Sequence, residues 1–369
     1  MIPEIQFIVQ SLRHRLGSQE EPANGSVHNV EKLLALASAH GVTALLEGAP
    51  DDAIPRILAG RMDNAKRGMA LTSMLLMATA HMRDYRIRTV TFKGPILAAC
   101  YGDPSLREFS DVDILMAAED VEKAIEALAL VGFVPELPWT ETSIRRWNCQ
   151  ISLRHDRTSG HLDLHWQLVP RYFPVQWDVA ELLDRAKQTD LQRIKVPVLA
   201  PEDQVILACV HGAKHGWERL LWLYDIAMLV RAHPNIQWRD IFERADKLGA
   251  RNVVVSALML LEHILGVELP LEASPDADVH KTLTPWVLNI GWRIGQGITG
   301  PVDSVELIKF NNALVSSRWQ RMKHWVGAVT YPTDVEAAAC GAAGSVSSVL
   351  IPYRVARLAL KYGLRGKKS

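Results

Sequence analysis

The chain has few cysteines and no net charge. Its 369 residues include four cysteines, and 41 basic side chains balance 41 acidic ones. The cysteines lie far apart without C-X-X-C spacing, which argues against a structural zinc site and gives no disulfide framework, so we expect buried, reduced thiols at Cys100, Cys149, Cys209 and Cys340. The zero net charge removes the strongly basic composition that is typical of nucleic-acid-binding proteins.

Long apolar runs are also missing. No segment approaches the roughly 20 uninterrupted apolar residues that a membrane-spanning helix needs. The N-terminal stretch contains Glu4 and Arg13 but no long apolar run or small-residue cleavage site, so it indicates an amphipathic helix and not a signal peptide. A content of 48% hydrophobic and 22% charged residues is ordinary for a globular protein. The sequence therefore predicts a cytoplasmic protein without a membrane span.

Two carboxylates separated by one apolar residue are the most informative feature that is present. Asp111 and Asp113 lie in the run DVDILM, whose alternation predicts a strand with both acids on one face. Side-by-side burial of two like charges is costly unless a cation lies between them. The pair therefore predicts a divalent-metal site with oxygen ligands. The same pattern also occurs in solvated turns and at helix N-caps, so its surroundings matter.

The residues before this pair predict a strand, a tight turn and a helix. The β-prone run TVTF ends at Lys93-Gly94, and Pro95 opens an apolar stretch. Proline suits the first helical turn, and glycine lets the backbone approach a ligand closely. A helix N-terminus beside metal-binding carboxylates is suited to a nucleoside triphosphate.

A later segment supplies a third acid and completes a family resemblance. The run HLDLHW alternates polar and apolar residues as a half-buried strand does, so Asp163 can join the first two acids. Strand, glycine-containing turn, helix and then Ser-Asp-X-Asp resemble the core of the DNA polymerase beta-like nucleotidyltransferase superfamily. From about Lys66 to Tyr362 the chain most resembles a bacterial group of uncharacterised nucleotidyltransferases, through Lys93-Gly94, Arg107, the Ser110–Asp113 motif, the His161–Trp166 strand, His211, Lys214, His215, Trp217, Leu220, Trp222, Asp225 and Pro332-Thr333-Asp334.

The patterns along the chain predict an α+β fold. Alternating strands and helices occupy the stretch from Thr89 to about Val198, and helical periodicity dominates before and after it. We expect an N-terminal helical segment at 1–60, a nucleotidyltransferase core at 61–200 and a helical C-terminal domain at 201–369. The core should be a small mixed β-sheet with flanking helices, in which 149–153 and 161–165 form a hairpin.

The resemblance implies magnesium-dependent nucleotidyl transfer. Asp111, Asp113 and Asp163 would hold two Mg²⁺ ions, with Mn²⁺ as the alternative. A nucleoside triphosphate, with ATP favoured, would give its nucleoside monophosphate to an acceptor hydroxyl while pyrophosphate leaves. Asp163 can also take the proton of the hydroxyl. The sequence does not identify the acceptor, for which a small molecule or a peptide metabolite is the first choice.

Several residues around the acids are candidates for binding the nucleotide: Lys93, Gly94, Arg107, Ser110, His165 and Lys214. Many superfamily members have a small residue where this chain has Lys93, whose ammonium either neutralises phosphate oxygens or only extends from a strand end into solvent. Arg107 binds phosphate or pairs with the acidic cluster, and Ser110 caps the turn or hydrogen-bonds phosphate. His165 contacts the acceptor or the nucleotide, or is an ordinary strand histidine.

Two histidines on a predicted helix leave three alternatives open. His211 and His215 are four residues apart and so share one helical face. No glutamate follows His211 as a zinc protease would require, which weakens the metal alternative. The helix either closes over the nucleotide, with Lys214 or a histidine near phosphate, or is purely structural. Asp225 can orient one of the two histidines.

The C-terminal part of the chain is basic and keeps other functions under consideration. From Arg318 to Ser369 nine basic residues stand against Asp334 and Glu336, so this tail either touches phosphates, an acidic partner or a membrane surface, or is a solvated helix with a frayed end. Transfer to a protein or tRNA and a catalytically inactive nucleotide-binding scaffold are the alternatives to a small-molecule enzyme. The presence of all three acids counts against the scaffold, and neutral net charge makes nucleic acid a disfavoured partner.

Overall fold

The computed structural model describes residues 1–18, 27, 29–136, 148–156, 160–268, 272, 277–315, 317–330 and 351–358. Within them the chain has the predicted α+β fold, with one mixed sheet in the middle and helices before, around and after it. Cys340, the Pro332-Thr333-Asp334 motif and the last four basic residues of the tail lie outside the described residues. Cys149 and Cys209 are buried and Cys100 is half-buried, and none of these three forms a disulfide.

The helices surround the sheet in sequence and in space. They are α1 (Pro3–Arg15), α2 (Val30–Ala39), α3 (Ile54–Asp84), α4 (Gly94–Ala99), α5 (Val121–Ala129), α6 (Val179–Asp184), α7 (Pro201–Lys214), α8 (Leu220–Ala232), α9 (Trp238–Leu248), α10 (Arg251–Leu260), α11 (Ala277–Gly295), α12 (Ser304–Ala313) and α13 (Arg318–Thr330). A π-helical turn, Leu261–Leu265, extends α10, and residues 351–358 are also helical. No helix in these described ranges combines the length and apolarity needed to cross a bilayer.

The sheet has seven strands in the order β3-β4-β5-β2-β1-β7-β6. They are β1 (Thr89–Phe92), β2 (Asp111–Met116), β3 (Phe133–Pro135), β4 (Gln150–His155), β5 (His161–His165), β6 (Lys187–Leu191) and β7 (Ile194–Val198). Strand β2 is parallel to β5 and β1 is parallel to β7, whereas the other neighbours are antiparallel. The predicted hairpin is confirmed, since β4 and β5 pair antiparallel.

The two faces of the sheet belong to different hydrophobic clusters. Val112 and Ile114 point to one face and pack in a cluster with residues of α3 and α5. Leu115 points the other way, because successive strand residues alternate between faces, and joins a larger cluster with Phe92 and residues of α7 and α8. The odd-numbered acids of β2 therefore share the face on which the C-terminal helices pack.

Candidate functional site

Strand register places the central acids in one row across four strands. Asp113 pairs with Asp163 between the parallel strands β2 and β5, and with Phe92 of β1 on its other side. Ser152 of β4 pairs with Asp163 in turn. Residues directly opposite each other in a sheet project from the same face, so the row Ser152, Asp163, Asp113, Phe92 presents neighbouring side chains.

Two further polar side chains lie on the same face, one step to either side of the row. Asp111 precedes Asp113 by two residues, and His165 follows Asp163 by two residues, so each keeps the orientation of its partner. The ligand atoms of Asp113, Asp163 and His165 all lie within 4.8 Å of one another. Asp111 shares the face but stands outside this tight group, at the start of β2.

Asp113 is the most enclosed of the three acids, at 3% exposure. Its Oδ1 hydrogen-bonds His165 Nε2 at 2.8 Å and lies 3.8 Å from the Lys93 ammonium. Burial alone would raise the pKa of Asp113, but Lys93 and the His165 hydrogen bond outweigh it and lower the pKa. Its Oδ2 is buried and has no hydrogen-bond partner among the described residues, although buried polar atoms normally have one.

In Asp163 and Asp111, in contrast, the effect of burial dominates and the pKa is raised. Asp163 accepts hydrogen bonds from Ser152 Oγ at 2.5 Å and from Gln150 Nε2 at 2.8 Å, yet burial still raises its pKa. Burial and the nearby Asp113 charge likewise raise the pKa of Asp111. The crowding of carboxylates therefore works against their ionisation, and a bound cation would relieve it.

The turn after β1 brings Lys93 and Gly94 against the first acid. Lys93 has φ +52°, which is unusual for a residue with a side chain, and Gly94 has φ +37°. A Cβ atom on Gly94 would lie 2.9 Å from the Asp111 carbonyl oxygen, so only glycine fits this close approach. Helix α4 has only six residues, which gives its N-terminus a weak dipole, so Lys93 is the stronger candidate for holding phosphate.

Arg107 and Asp225 form a buried pair beside the site. Arg107 donates from Nε to Asp225 Oδ1 at 2.7 Å and from Nη2 to Oδ2 at 2.9 Å. Tyr101 also donates to Asp225, at 2.7 Å. Asp225 thus binds Arg107 and Tyr101, and the prediction that it orients His211 or His215 is wrong. Two donor groups of Arg107 are occupied, so any role in nucleotide binding depends on its remaining nitrogen, Nη1.

Helix α7 brings Lys214 and the two histidines toward the acids. Burial and the nearby Lys93 charge lower the pKa of Lys214, and no carboxylate of the described residues lies within ion-pair distance of its ammonium. The rings of His211 and His215 are 4.9 Å apart, and each lies 5.2 Å from the Trp222 ring. Burial lowers the pKa of His215 to about 4. In the described part of the chain no third metal ligand joins these histidines.

Comparison with known proteins identifies the family. Residues 26–266 match the model of a family described as uncharacterised nucleotidyltransferase. The chain belongs to this family. Seven solved chains match, among them the lincosamide antibiotic adenylyltransferase LnuA with lincomycin bound, at 20% identity and TM-score 0.30 over 42% of this chain and 92% of that one. A likeness of that size carries no information about substrate. No curated protein matches.

The acids of this nucleotidyltransferase fit a divalent metal ion. Carboxylate oxygens are the ligands that suit Mg²⁺ and Mn²⁺, and the face offers them from Asp111, Asp113 and Asp163. The unpartnered Oδ2 of Asp113 is an atom that a cation would satisfy. His165 Nε2 is engaged by Asp113 Oδ1, so the carboxylates carry the fit.

Sequence reasoning missed the residues that position Asp163. Ser152 and Gln150 hold its two oxygens, and both come from β4, whose pairing with β5 was predicted but whose register was not. Their spacing of two residues, matching that of Asp163 and His165 on the next strand, is the signal that could have found them. Ser110 is exposed immediately before β2, where it borders the acids.

Proposed function

We propose that this nucleotidyltransferase moves a nucleoside monophosphate from a nucleoside triphosphate, with ATP favoured, to an acceptor hydroxyl and releases pyrophosphate in the cytoplasm. The acceptor is a small molecule or a peptide metabolite. One observation carries the proposal: Asp113 and Asp163 stand side by side on parallel strands, with Asp111 on the same face and Asp113 Oδ2 unpartnered. Crowded acids of this kind are suited to a metal–triphosphate complex.

Asp111, Asp113 and Asp163 would hold Mg²⁺, as two ions in our proposal and with Mn²⁺ as an alternative. When bound, the metal supplies positive charge to the triphosphate and lowers the pKa of the attacking hydroxyl. Lys93, whose ammonium lies 3.8 Å from Asp113 Oδ1, and Lys214, whose ammonium interacts with Lys93 and Asp113, add two positive charges beside the acids. Their charges favour binding of the β- and γ-phosphates and stabilise pyrophosphate as it departs.

Asp163 is the proposed proton acceptor. Its pKa is raised, mainly by burial, which brings it closer to neutral pH and makes the carboxylate a better base than an exposed one. Ser152 and Gln150 fix the orientation of its two oxygens. As the acceptor oxygen bonds to the α-phosphorus, the bond from that phosphorus to the bridging oxygen breaks, and pyrophosphate leaves with the bonding electrons. The hydroxyl proton passes to Asp163.

The test compares binding and transfer in purified variants. Asp111→Asn and Asp113→Asn should each weaken the metal-dependent affinity for ATP by about tenfold or more, since each removes an anionic ligand. Asp163→Ala should keep measurable ATP affinity but lose nearly all transfer. Calorimetry with Mg²⁺ or with chelator measures binding, and labelled nucleotide incubated with cell extract measures transfer. Asp190→Asn, exposed on β6, is the matched control.

Two outcomes would contradict the proposal. Full-affinity, metal-dependent ATP binding in both Asp111→Asn and Asp113→Asn would remove the metal site. Transfer at the wild-type rate by Asp163→Ala would remove that residue as the base. Binding of nucleotide by the wild type without transfer in any extract would instead support a catalytically inactive scaffold.

A further inference from the structure

A pocket lies next to Asp113, between the β1–α4 turn and helices α7 and α8. It is a small, partly open pocket, with about 50 Å³ of space that water-sized atoms can reach, enough for a few water molecules. Leu97, Leu207, Ala208 and Trp222 give it a largely apolar wall. Such a wall suits an uncharged ring better than a phosphate group.

Two polar atoms at this pocket lack partners. Arg107 and Gln204 both line it, and each is 6% exposed. Arg107 Nη1 and Gln204 Oε1 have no hydrogen-bond partner among the described residues, while the other polar atoms of both side chains are occupied by Asp225 and by the Leu199 carbonyl. An unsatisfied buried group costs about 1–3 kcal/mol. A ligand that offers one acceptor and one donor would satisfy both.

The charge at the pocket also favours a neutral occupant. Asp225 neutralises Arg107 through a two-pronged ion pair. His211 lines the pocket, and burial together with the Lys93 charge lowers its pKa well below the ordinary value, so it stays uncharged at neutral pH. Lys93 alone contributes a net charge, and its ammonium lies toward Asp113.

The position of the pocket assigns it to one side of the reaction. Phe92 and Lys93 belong both to the pocket and to the surroundings of Asp113. Phe92 flanks Asp113 on β1, whereas Asp163 flanks it on β5, so the pocket and Asp163 lie on opposite sides of Asp113. With Asp163 beside the acceptor hydroxyl, the pocket falls on the side of the nucleotide.

We propose that this pocket binds the base of the nucleotide. A purine or pyrimidine is planar and neutral, and its edge offers the acceptor and the donor that Arg107 Nη1 and Gln204 Oε1 require. Its face can stack on the half-buried ring of Trp222, a contact worth about 1–3 kcal/mol per base. The assignment rests on the proposed function, because it needs a nucleotide as the substrate.

The test fills the pocket without touching the acids. Ala208 is half-buried on the pocket wall, so Ala208→Phe should occupy the space of a ring. We expect this variant to bind Mg-ATP about tenfold more weakly and Mg-tripolyphosphate with unchanged affinity, because tripolyphosphate has no base. Gln204→Met, which removes the acceptor, should weaken ATP binding in the same selective way. Ala129→Phe, on the exposed face of α5, is the matched control, and thermal unfolding checks that each variant is folded.

The remaining outcomes distinguish failure of the pocket assignment from failure of the proposed function. Equal weakening of ATP and tripolyphosphate in both folded variants would overturn the assignment to the base. Unchanged ATP binding together with lost transfer would show that the pocket takes the acceptor instead. If the wild type binds neither probe with Mg²⁺, the proposed function fails and the base pocket fails with it. If it binds both probes and the two variants leave ATP affinity unchanged, only the pocket assignment fails.

Discussion

Lys93 combines an unusual backbone with an unusual charge. Its φ of +52° is a conformation that residues with a Cβ atom rarely adopt, and such positions cluster at functional sites because the surrounding structure must hold them. Its ammonium lies 3.8 Å from Asp113 Oδ1 and 5.5 Å from the centre of the Phe92 ring. The side chain is therefore held beside Asp113 and does not simply extend into solvent.

Replacement of Lys93 by alanine should weaken binding of Mg-ATP much more than binding of AMP. Each lost charge-assisted hydrogen bond to a triphosphate oxygen costs about 1.5–3 kcal/mol, which corresponds to about 10- to 150-fold in affinity. Lys93→Gly should lose the same affinity while relieving the backbone strain at this position. Calorimetry with both nucleotides measures the effect, and Lys187→Ala, exposed on β6, is the control. Equal weakening of ATP and AMP would indicate a distorted turn.

At the scale of elements, the β1–α4 turn and the start of β2 form one unit. The close approach of Gly94 to the Asp111 carbonyl links the position of the turn to the position of the first acid. Any displacement of the turn should therefore also shift Asp111.

Gly94→Ala should reduce both stability and metal-dependent ATP binding. The added Cβ meets the Asp111 carbonyl oxygen at 2.9 Å and must push the turn away from β2, at a cost of about 1–3 kcal/mol including the strain of a positive φ. Gly102→Ala is the matched control, since Gly102 has φ +76° but nothing within 4 Å of the added atom. Urea unfolding and calorimetry separate the two effects. The same loss in both variants, with ATP binding intact, would show that the close approach does not position Asp111.

Alternation of polar and apolar residues made the central strands predictable. The edge strand β6 lacks such a pattern and was not predicted. β1, β2 and β5 bear regular apolar patterns, and β1 and β5 begin and end at the expected residues. The β6–β7 hairpin was not identified individually, since β6 is mostly exposed. Its two-residue turn, Gln192-Arg193, has positive φ at both positions without the Asn-Gly or Asp-Gly sequence that usually signals such a turn.

The site was predictable where it depends on one strand and not where it depends on pairing. Asp111 and Asp113 share a face because of their spacing alone. The contacts of Asp163 with β4 depend on a register that no local pattern specifies. The Arg107–Asp225 pair joins residues 118 positions apart, and a buried ion pair of that separation has no sequence signature.

At the scale of the molecule, a single large hydrophobic cluster joins regions that the sequence separates. It contains residues of α1, of the sheet face beside the acids and of the C-terminal helices. The division at residues 60 and 200 stays a prediction. Arg107 and Asp225 form a buried polar connection between the loop before β2 and helix α8.

Asp225→Ala should destabilise the whole protein by about 3–5 kcal/mol, because it leaves the Arg107 guanidinium buried without its counterion. The double variant Arg107→Met with Asp225→Leu should recover most of that loss, since an apolar pair of similar volume removes the buried charge altogether. Urea unfolding of the three proteins measures this. A loss below about 1 kcal/mol in Asp225→Ala would mean that water reaches Arg107 and replaces the carboxylate.

The pairing of Asp113 with Asp163 has a consequence for how this site can change over time. The two residues are neighbours because β2 and β5 run in parallel and in register, and the chain between them includes β4, which supplies Ser152 to the row. Evolution can therefore lengthen or shorten the stretches between β2 and β4 without moving either carboxylate, as long as β4 keeps its register with β5. An insertion of one residue between Asp111 and Asp113 is different, because it would turn one of the acids to the opposite face of the sheet. Distant relatives should be recognised by an invariant separation within β2 and a freely varying distance to β5.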